Sequence, residues 1–380
     1  MAAALPPSRV AVVAVSLVLL WRVIQVNGVS YESTGLPRLA DASPAALLDD
    51  NPAEIGALLA LAWQREEAGD TAGASKAYRV ALDLAPMGRE VLALASAHFV
   101  RGGDPAGLEL MGRLVTDYPD TRGQAFPVLA ALLASDRFRG EFAKAASRNP
   151  PWLGHFLTDA CARGTDPKLL APLVLAASSP PPAAAGCVMD RLRGEGRWEE
   201  SHHLWLNLLP KQRRAQVGFV FNGGFEAAPT GLGFDWRLQR APEKHAGHTA
   251  EVVRRLGVEG ERALRVAYNG HRQNGFAVRQ FLLLPPGEYE LTGRAKLEAI
   301  KAARGIQWTV RCVERDRTGA VVAASERLTG SADWHLFTMT VPIDGACGGH
   351  VLQLEPVGEL GAVAFVSGTA WFDDLRLRRR

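Results

Sequence analysis

The pattern of hydrophobic and polar positions changes at about residue 215. From residue 45 to 214, apolar residues recur at helical spacing between breaks at proline and glycine. From residue 216 onwards the period is two, with Leu264, Val266 and Tyr268 on one face of a strand. Roughly eight or nine such segments, separated by turn residues, are typical of a β-sandwich. The sequence therefore predicts a multidomain α + β protein, with stacked helices over 45–214 and an antiparallel β-sandwich over 215–380.

The N-terminus carries an apolar run from Val10 to Val26, interrupted only by Ser16, Arg22 and Gln25. Its length is at the short limit for a membrane-spanning helix, so we expect residues 1–28 to be a membrane anchor. The alternative is a cleaved signal sequence. Residues 29–44 follow as a linker without periodicity. Arginine far outnumbers lysine, which suggests a GC-rich bacterial genome. We therefore expect a single-pass protein of the bacterial inner membrane, with the bulk of the chain in the periplasm.

The helical region has an internal repeat. Prolines recur at spacings of 34, 33 and 31 residues, at Pro52, Pro86, Pro119 and Pro150. Between the first two, small residues at Ala62 and Ala74 let two helices approach closely, and Tyr78 fills the groove between them. This segment resembles a tetratricopeptide repeat, and the later segments resemble it more weakly. The alternative is a generic helical bundle. The resemblance implies a short solenoid that binds other envelope proteins.

The β-rich region opens on Phe221-Asn222-Gly223-Gly224-Phe225-Glu226 and closes on Trp371-Phe372-Asp373-Asp374-Leu375-Arg376-Leu377. We predict a short strand at 217–221 and a double-glycine turn in which glycine supplies positive φ. The opening motif, Trp236 and the closing motif together resemble a carbohydrate-binding module, the galactose-binding-like jelly roll. The resemblance covers about residues 216–380 and implies polysaccharide as a partner.

Glu226, Asp373 and Asp374 are the candidate metal ligands. First and last strands of a jelly roll are commonly neighbours, and modules resembling this one often hold a structural calcium ion between such carboxylates. Calcium relieves the repulsion between converging carboxylates. The alternative is that Glu226 caps a turn and the two aspartates accept backbone N–H bonds.

Trp236 and Tyr268 are the candidate ligand-binding residues, because aromatic rings stack on sugars. Trp236 follows Phe234 and Asp235 in a loop, and Tyr268 ends a strand at a polar turn, where binding residues tend to occur. Core packing is the alternative for both rings.

Cys312 and Cys347 are the candidate disulfide. Cys312 shares a strand face with Trp308 and Val310, and Cys347 lies in a glycine-rich turn before the next strand. In an oxidising compartment a bond between them would close a loop within the sandwich. The alternative is two buried free thiols.

Composition and the lack of catalytic motifs argue against two further classes of function. The 43 basic and 40 acidic residues nearly balance, which argues against nucleic acid as a partner. The sequence has no motif of a nucleophile or metal enzyme, so we expect no enzyme activity. The predicted function is a non-catalytic, membrane-anchored envelope adaptor that binds proteins through its helices, in extracellular polysaccharide assembly or export. The alternative is a secreted or periplasmic protein that binds glycans through its jelly roll.

Overall fold

A computed structural model describes residues 43–239, 247–254, 260–273, 276–314, 317–357 and 364–380. The chain divides into two compact units, the first ending at Ala184 and the second running from Ala185 to Arg380. The sequence placed the boundary at 214/215 instead. The structure groups the helical residues after Ala185 with the β-strands.

The predicted membrane placement needs correction. Within the ranges that the structure describes, no helix combines the length and the apolar character that crossing a bilayer requires. The prediction of a single-pass inner-membrane protein with a periplasmic bulk is therefore wrong for this part of the chain. The apolar run at 10–26 lies outside the described residues, and so does most of the 29–44 linker.

The described part of the first unit is helical. A 3₁₀ turn at Pro119–Thr121 separates two of its helices. The α-helices are α1 Pro44–Asp50, α2 Ile55–Glu67, α3 Thr71–Leu84, α4 Arg89–Gly102, α5 Ala106–Asp117, α6 Arg122–Ala134, α7 Asp136–Ser147, α8 Pro151–Ala162 and α9 Pro167–Ala176.

Helices α2 and α3 form the helical pair that the sequence predicted. The Asp70 side chain caps α3 by accepting a hydrogen bond of 2.8 Å from the backbone N–H of Gly73. Ala62 and Ala74 are fully buried, as close helix packing requires, and Tyr78 is buried with them. The helical pair is confirmed. Membership in the tetratricopeptide-repeat family stays a prediction.

Glu66, on α2, is the acceptor in a half-buried polar cluster. It is hydrogen-bonded to His98 Nδ1, while His98 Nε2 lies 2.7 Å from Ser75 Oγ. Arg101 Nη2 donates to both carboxylate oxygens of Glu66, at 2.9 and 2.8 Å. Burial alone would raise the pKa of Glu66. The hydrogen bond with His98 and the charge of Arg101 outweigh burial, so this pKa lies below 4.5.

The second unit contains a helical hairpin followed by strands. Its helices are α10 Pro182–Gly194, which starts just before the unit, α11 Trp198–Leu208 and the short α12 Lys211–Arg214. Its strands are β1 Arg237–Leu238, β2 His248–Arg254, β3 Arg262–Gln273, β4 Val278–Leu282, β5 Gly287–Lys301, β6 Ile306–Glu314, β7 Arg317–Ala324, β8 Gly330–Ile343, β9 Gly349–Pro356 and β10 Ala364–Arg379.

The strands form two antiparallel sheets, as the period-two pattern predicted. In the described residues, sheet A has the order β1-β4-β9-β6-β7 and sheet B the order β2-β3-β10-β5-β8. The closing stretch of the sequence lies in β10, which pairs with β3 on one side and β5 on the other. The core contains large aromatic side chains in mutual contact, among them Trp236, Trp308 and Phe372.

The opening stretch differs from its prediction. Residues 217–221 form bends and not a strand. Positive φ occurs at Asn222 (53°) and Phe225 (54°), and not at the two glycines between them. Gly223 is needed for another reason: its carbonyl accepts a hydrogen bond of 3.0 Å from Leu375 N, and a Cβ on it would lie 1.9 Å from Leu375 O. Glycine here permits close backbone approach.

Candidate functional site

The two predicted sugar-stacking residues lie inside the sandwich. Trp236 has no exposed surface; its ring contacts Phe225 and Trp308, and its Nε1 donates to the Asn222 carbonyl at 3.1 Å. Tyr268 is also buried, and burial raises the pKa of its hydroxyl. Core packing, the alternative reading, therefore describes both rings, and neither offers a surface to a ligand.

The predicted calcium ligands are engaged by the protein itself. Glu226 Oε1 accepts hydrogen bonds from the backbone N–H groups of Glu261 (2.9 Å) and Arg262 (3.1 Å) at the start of β3. Asp373 is fully buried, and its Oδ1 accepts from Asp374 N at 2.7 Å.

Asp374 in turn lies 2.5 Å from Arg376 Nε through its Oδ1. Across the described residues, no group of three or more His, Cys, Asp or Glu side chains is placed to hold a metal ion. Glu226 and Asp373 thus accept backbone N–H bonds, as the alternative expects, whereas Asp374 pairs with a side chain. Calcium binding stays a prediction, which the effect of added calcium on the melting temperature tests.

The structure contains the Cys312–Cys347 disulfide, with a Cα–Cα distance of 5.6 Å. It joins β6 to the loop before β9. None of the cysteines in the described ranges is free.

The outer face of sheet A carries a row of polar side chains across four strands. Arg237 pairs with Arg279, Arg279 with Gln353, and Gln353 with Thr309. Residues paired in an antiparallel sheet share one face. We call these four residues the polar row. The next residues along the same strands pack in or against the core: Leu238, Val278, Leu354 and Trp308.

A buried ion pair fixes one end of the polar row. Glu355 Oε1 accepts hydrogen bonds from Arg311 Nε (2.9 Å), Arg311 Nη2 (2.7 Å) and Thr309 Oγ1 (2.9 Å). Gln353 Nε2 donates to Glu355 Oε2 at 2.5 Å. The Arg311 and Glu355 side chains are only 6% and 8% exposed. Because several hydrogen bonds hold each group, this network is rigid and its orientation is set before any ligand arrives.

Arginine side chains surround Phe281 at the other end of the polar row. The guanidinium carbon of Arg193, on α10, lies 4.3 Å from the ring centroid, and those of Arg237 and Arg279 each lie 5.1 Å from it. Arg279 also stacks on Phe276, at 4.3 Å. We call Arg193, Arg237 and Arg279 the arginine cluster. Such contacts combine cation–π attraction with planar stacking.

One carboxylate serves two members of the arginine cluster. Asp190 Oδ1 lies 2.6 Å from Arg237 Nη2 and is also hydrogen-bonded to Arg193. Arg279 has no hydrogen bond or ion pair to any residue in the described ranges. Burial lowers the pKa of Arg279, the charge of Arg237 lowers it further, and Asp190 opposes both. Arg279 is thus a cation whose neighbours leave its charge incompletely balanced.

Several buried polar atoms along this face have no hydrogen-bond partner among the described residues: Arg237 Nε, Gln239 Oε1, Arg279 Nε and Gln353 Oε1. Buried polar groups are normally hydrogen-bonded, so these four atoms are exceptions.

The helical hairpin of α10 and α11 packs on part of this face. Trp198, the first residue of α11, contacts Phe281 and Phe234 with centroid distances of 5.9 and 6.3 Å. A Cβ on Gly349 would lie 2.4 Å from the Trp198 ring, so glycine is required where β9 begins. The sequence assigned this hairpin to the solenoid, because helical periodicity does not reveal which partner a helix packs against.

The first unit has a separate groove of about 610 Å³. Its lining mixes apolar and charged residues from α5 and α7 and from the start of α8, including Leu108, Arg113, Thr116, Glu141 and Trp152.

Comparison with known proteins gives limited similarity. No family model matches the chain, and no curated protein matches it. Among solved structures, a carbohydrate-binding module described under "CBM4 structure and function" is 19% identical, covering 42% of this chain and 99% of that one, with a TM-score of 0.32.

TmCBM61 in complex with β-1,4-galactotriose is 17% identical over 43% of this chain and 99% of that one, with a TM-score of 0.29. The CBM22-1 xylan-binding domain of Paenibacillus barcinonensis Xyn10C is 16% identical over 41% and 91%, with a TM-score of 0.27. TM-scores this low carry no argument about function, and the description of the sandwich rests on its own two sheets.

Proposed function

We propose that the second unit is a non-catalytic carbohydrate-binding module and that the outer face of sheet A is its binding surface. The polar row is the observation that carries this proposal. Sugar hydroxyls both donate and accept hydrogen bonds, and the partly exposed guanidinium groups of Arg237 and Arg279, with Gln307 on the same face, match such a ligand. Phe276 supplies a flat surface for the apolar face of a sugar ring.

The buried ion pair supports the proposal through preorganisation. A glycan that meets fixed partners avoids the entropy cost of ordering them, which otherwise weakens binding. Glu355 and Arg311 hold Gln353 and Thr309 in place, so these side chains require no rearrangement.

The same geometry favours binding over hydrolysis. Glycoside hydrolysis commonly uses two carboxyl groups on opposite sides of the scissile bond. Glu355 is the carboxylate of the network on this face, and Arg311 and Thr309 already bind the oxygen that could act as a base. The proposed role is therefore recognition of polysaccharide. A disulfide in the same unit is typical of proteins that fold outside the reducing cytosol, where such polysaccharides lie.

Calorimetric titration of the full chain tests the proposal. The probes are xylohexaose, β-1,4-galactotriose and a set of oligosaccharides with carboxylate groups. We expect at least one to bind, and Gln353→Ala to weaken it about tenfold or more, because the change removes a hydrogen bond of the Glu355 network that orients this face. Thr338→Ala, at an exposed position on sheet B, is the matched control and should leave binding unchanged.

The fold of each variant is checked by its melting temperature. If Gln353→Ala is unstable, Gln307→Ala replaces it, because Gln307 pairs with Glu355 on the same face and is more exposed. Absence of binding to every oligosaccharide, or equal affinity of the face variants and the control, would refute the proposal.

We propose a protein-binding role for the first unit as a second candidate function, because its groove of about 610 Å³ is lined by both apolar and charged side chains. Arg113 and Glu141 offer opposite charges, and Leu108 and Trp152 offer apolar surface. A role as an adaptor in polysaccharide assembly or export would combine both functions. Affinity capture with the wild-type chain and with Arg113→Glu tests it, and a partner retained equally by both would exclude this groove.

A further inference from the structure

We infer that the glycan bound on the outer face of sheet A is acidic, with sugar carboxylates bound by the arginine cluster. This inference rests on the proposed function and names its ligand class. The cluster is placed to act with the polar row, because Arg237 and Arg279 belong to both. A chain that follows the row therefore brings its substituents to the guanidinium groups.

The arginine cluster carries more positive charge than Asp190 neutralises, which favours an anionic ligand. Arg193 and Arg237 both bind the carboxylate of Asp190, and within the described residues Arg279 has no acidic partner. Guanidinium groups lie close together around one phenyl ring, where mutual repulsion is strong unless a negative charge intervenes. The lowered pKa of Arg279, caused by burial and by Arg237, reports the same imbalance. A bound carboxylate would relieve it.

The contacts of Arg279 with two aromatic rings orient its guanidinium group for binding a carboxylate. Its guanidinium carbon lies 4.3 Å from the ring centroid of Phe276 and 5.1 Å from that of Phe281. Stacking occupies the faces of the guanidinium and leaves its N–H groups at the edge for hydrogen bonding. Its buried Nε has no partner in the described part of the chain. A planar carboxylate binds a guanidinium through two parallel hydrogen bonds, so the fixed plane favours a uronate over a neutral sugar.

The test compares matched acidic and neutral ligands on the full chain. Oligogalacturonate, oligomannuronate and hyaluronan fragments are titrated calorimetrically beside their methyl esters, which keep the sugar backbone and remove the charge. We expect at least one acid to bind about tenfold or more tightly than its ester, as a charged hydrogen bond implies. The difference should shrink between 20 and about 200 mM salt, because salt screens exposed charges.

Arg279→Gln should remove the preference, so that the acid and its ester bind this variant with affinities within about twofold of each other, because glutamine carries no charge. The matched control is Arg378→Gln, which removes an exposed charge on β10. This variant should keep the preference for the acid over its ester. Arg237→Gln provides a second variant if Arg279→Gln lowers the melting temperature.

The outcomes separate the two proposals. If neutral oligosaccharides or esters bind as well as the acids, the inference fails and the carbohydrate-binding proposal stands. If no glycan binds, both fail. If a single-stranded DNA of equal charge displaces the acid, or Arg279→Gln keeps the preference, the site is a general polyanion surface and the inference is overturned.

Discussion

The buried ion pair between Arg311 and Glu355 gives the sharpest stability prediction. Both side chains are almost completely buried, and Glu355 Oε1 accepts three hydrogen bonds. Glu355→Gln keeps the shape but removes the charge, which leaves the guanidinium of Arg311 buried without its counter-ion. Breaking a buried pair from one side costs about 3–5 kcal/mol. We expect the free energy of unfolding of the second unit to fall by that amount.

The assay is urea denaturation, combined with hydrogen exchange of peptides from β6 and β9. The matched control is Glu290→Gln, which breaks a half-exposed pair with Arg380. Exposed pairs contribute about 0–1 kcal/mol, so this control should be nearly neutral. The double variant Arg311→Met/Glu355→Leu should lose less than Glu355→Gln, because it removes both charges together. Equal losses for Glu355→Gln and Glu290→Gln would refute the reasoning.

Three further predictions concern other parts of the chain. Gly223→Ala should lower the free energy of unfolding by about 1–3 kcal/mol or more, because the added Cβ would clash with a backbone carbonyl of β10. Gly140→Ala in α7 has open space around the new Cβ and should raise the free energy of unfolding by about 0.5–1 kcal/mol. Urea denaturation measures both changes, and equal effects of the two variants would contradict the clash. The pKa of Glu66 is lowered on folding, so its contribution to stability is present above 4.5 and is lost as the pH falls through the lower folded value; thermal melts from pH 7 to pH 3 should show a smaller acid loss for Glu66→Gln, and parallel curves would count against it. Replacing Cys312 and Cys347 by alanine should cost about 3–4 kcal/mol, given their separation of 35 residues and the chain-entropy model; an unchanged melting temperature would show that the disulfide contributes little.

Local chemistry made the helical pair and the two sheets predictable. Small residues at Ala62 and Ala74 with Tyr78 specify close helix packing within one short segment. The alternation of Leu264 and Val266 specifies a strand with one buried face. Both patterns involve residues that are close together in the sequence, so they can be recognised from the sequence alone.

The proposed binding face could not be predicted from the sequence, because its residues meet only through the pairing of distant strands. Arg237, Arg279 and Gln353 are separated by dozens of residues, and strand register decides whether they share a row. Alternation also does not reveal whether a ring such as Trp236 faces the core or a ligand. The sequence-based choice of Trp236 and Tyr268 depended on their loop and turn positions, but both rings lie in the core between the sheets.

Carbene footprinting of the full chain tests the central claim most directly. Exposed side chains are labelled with and without a saturating amount of the tightest-binding oligosaccharide, and labelled peptides are quantified by mass spectrometry. We predict reduced labelling at 276–282 and 306–314, on the outer face of sheet A. Labelling at 330–343 on sheet B, where Leu336 is 63% exposed, should stay unchanged. Protection of sheet B or of the first unit, with sheet A unaffected, would contradict the account.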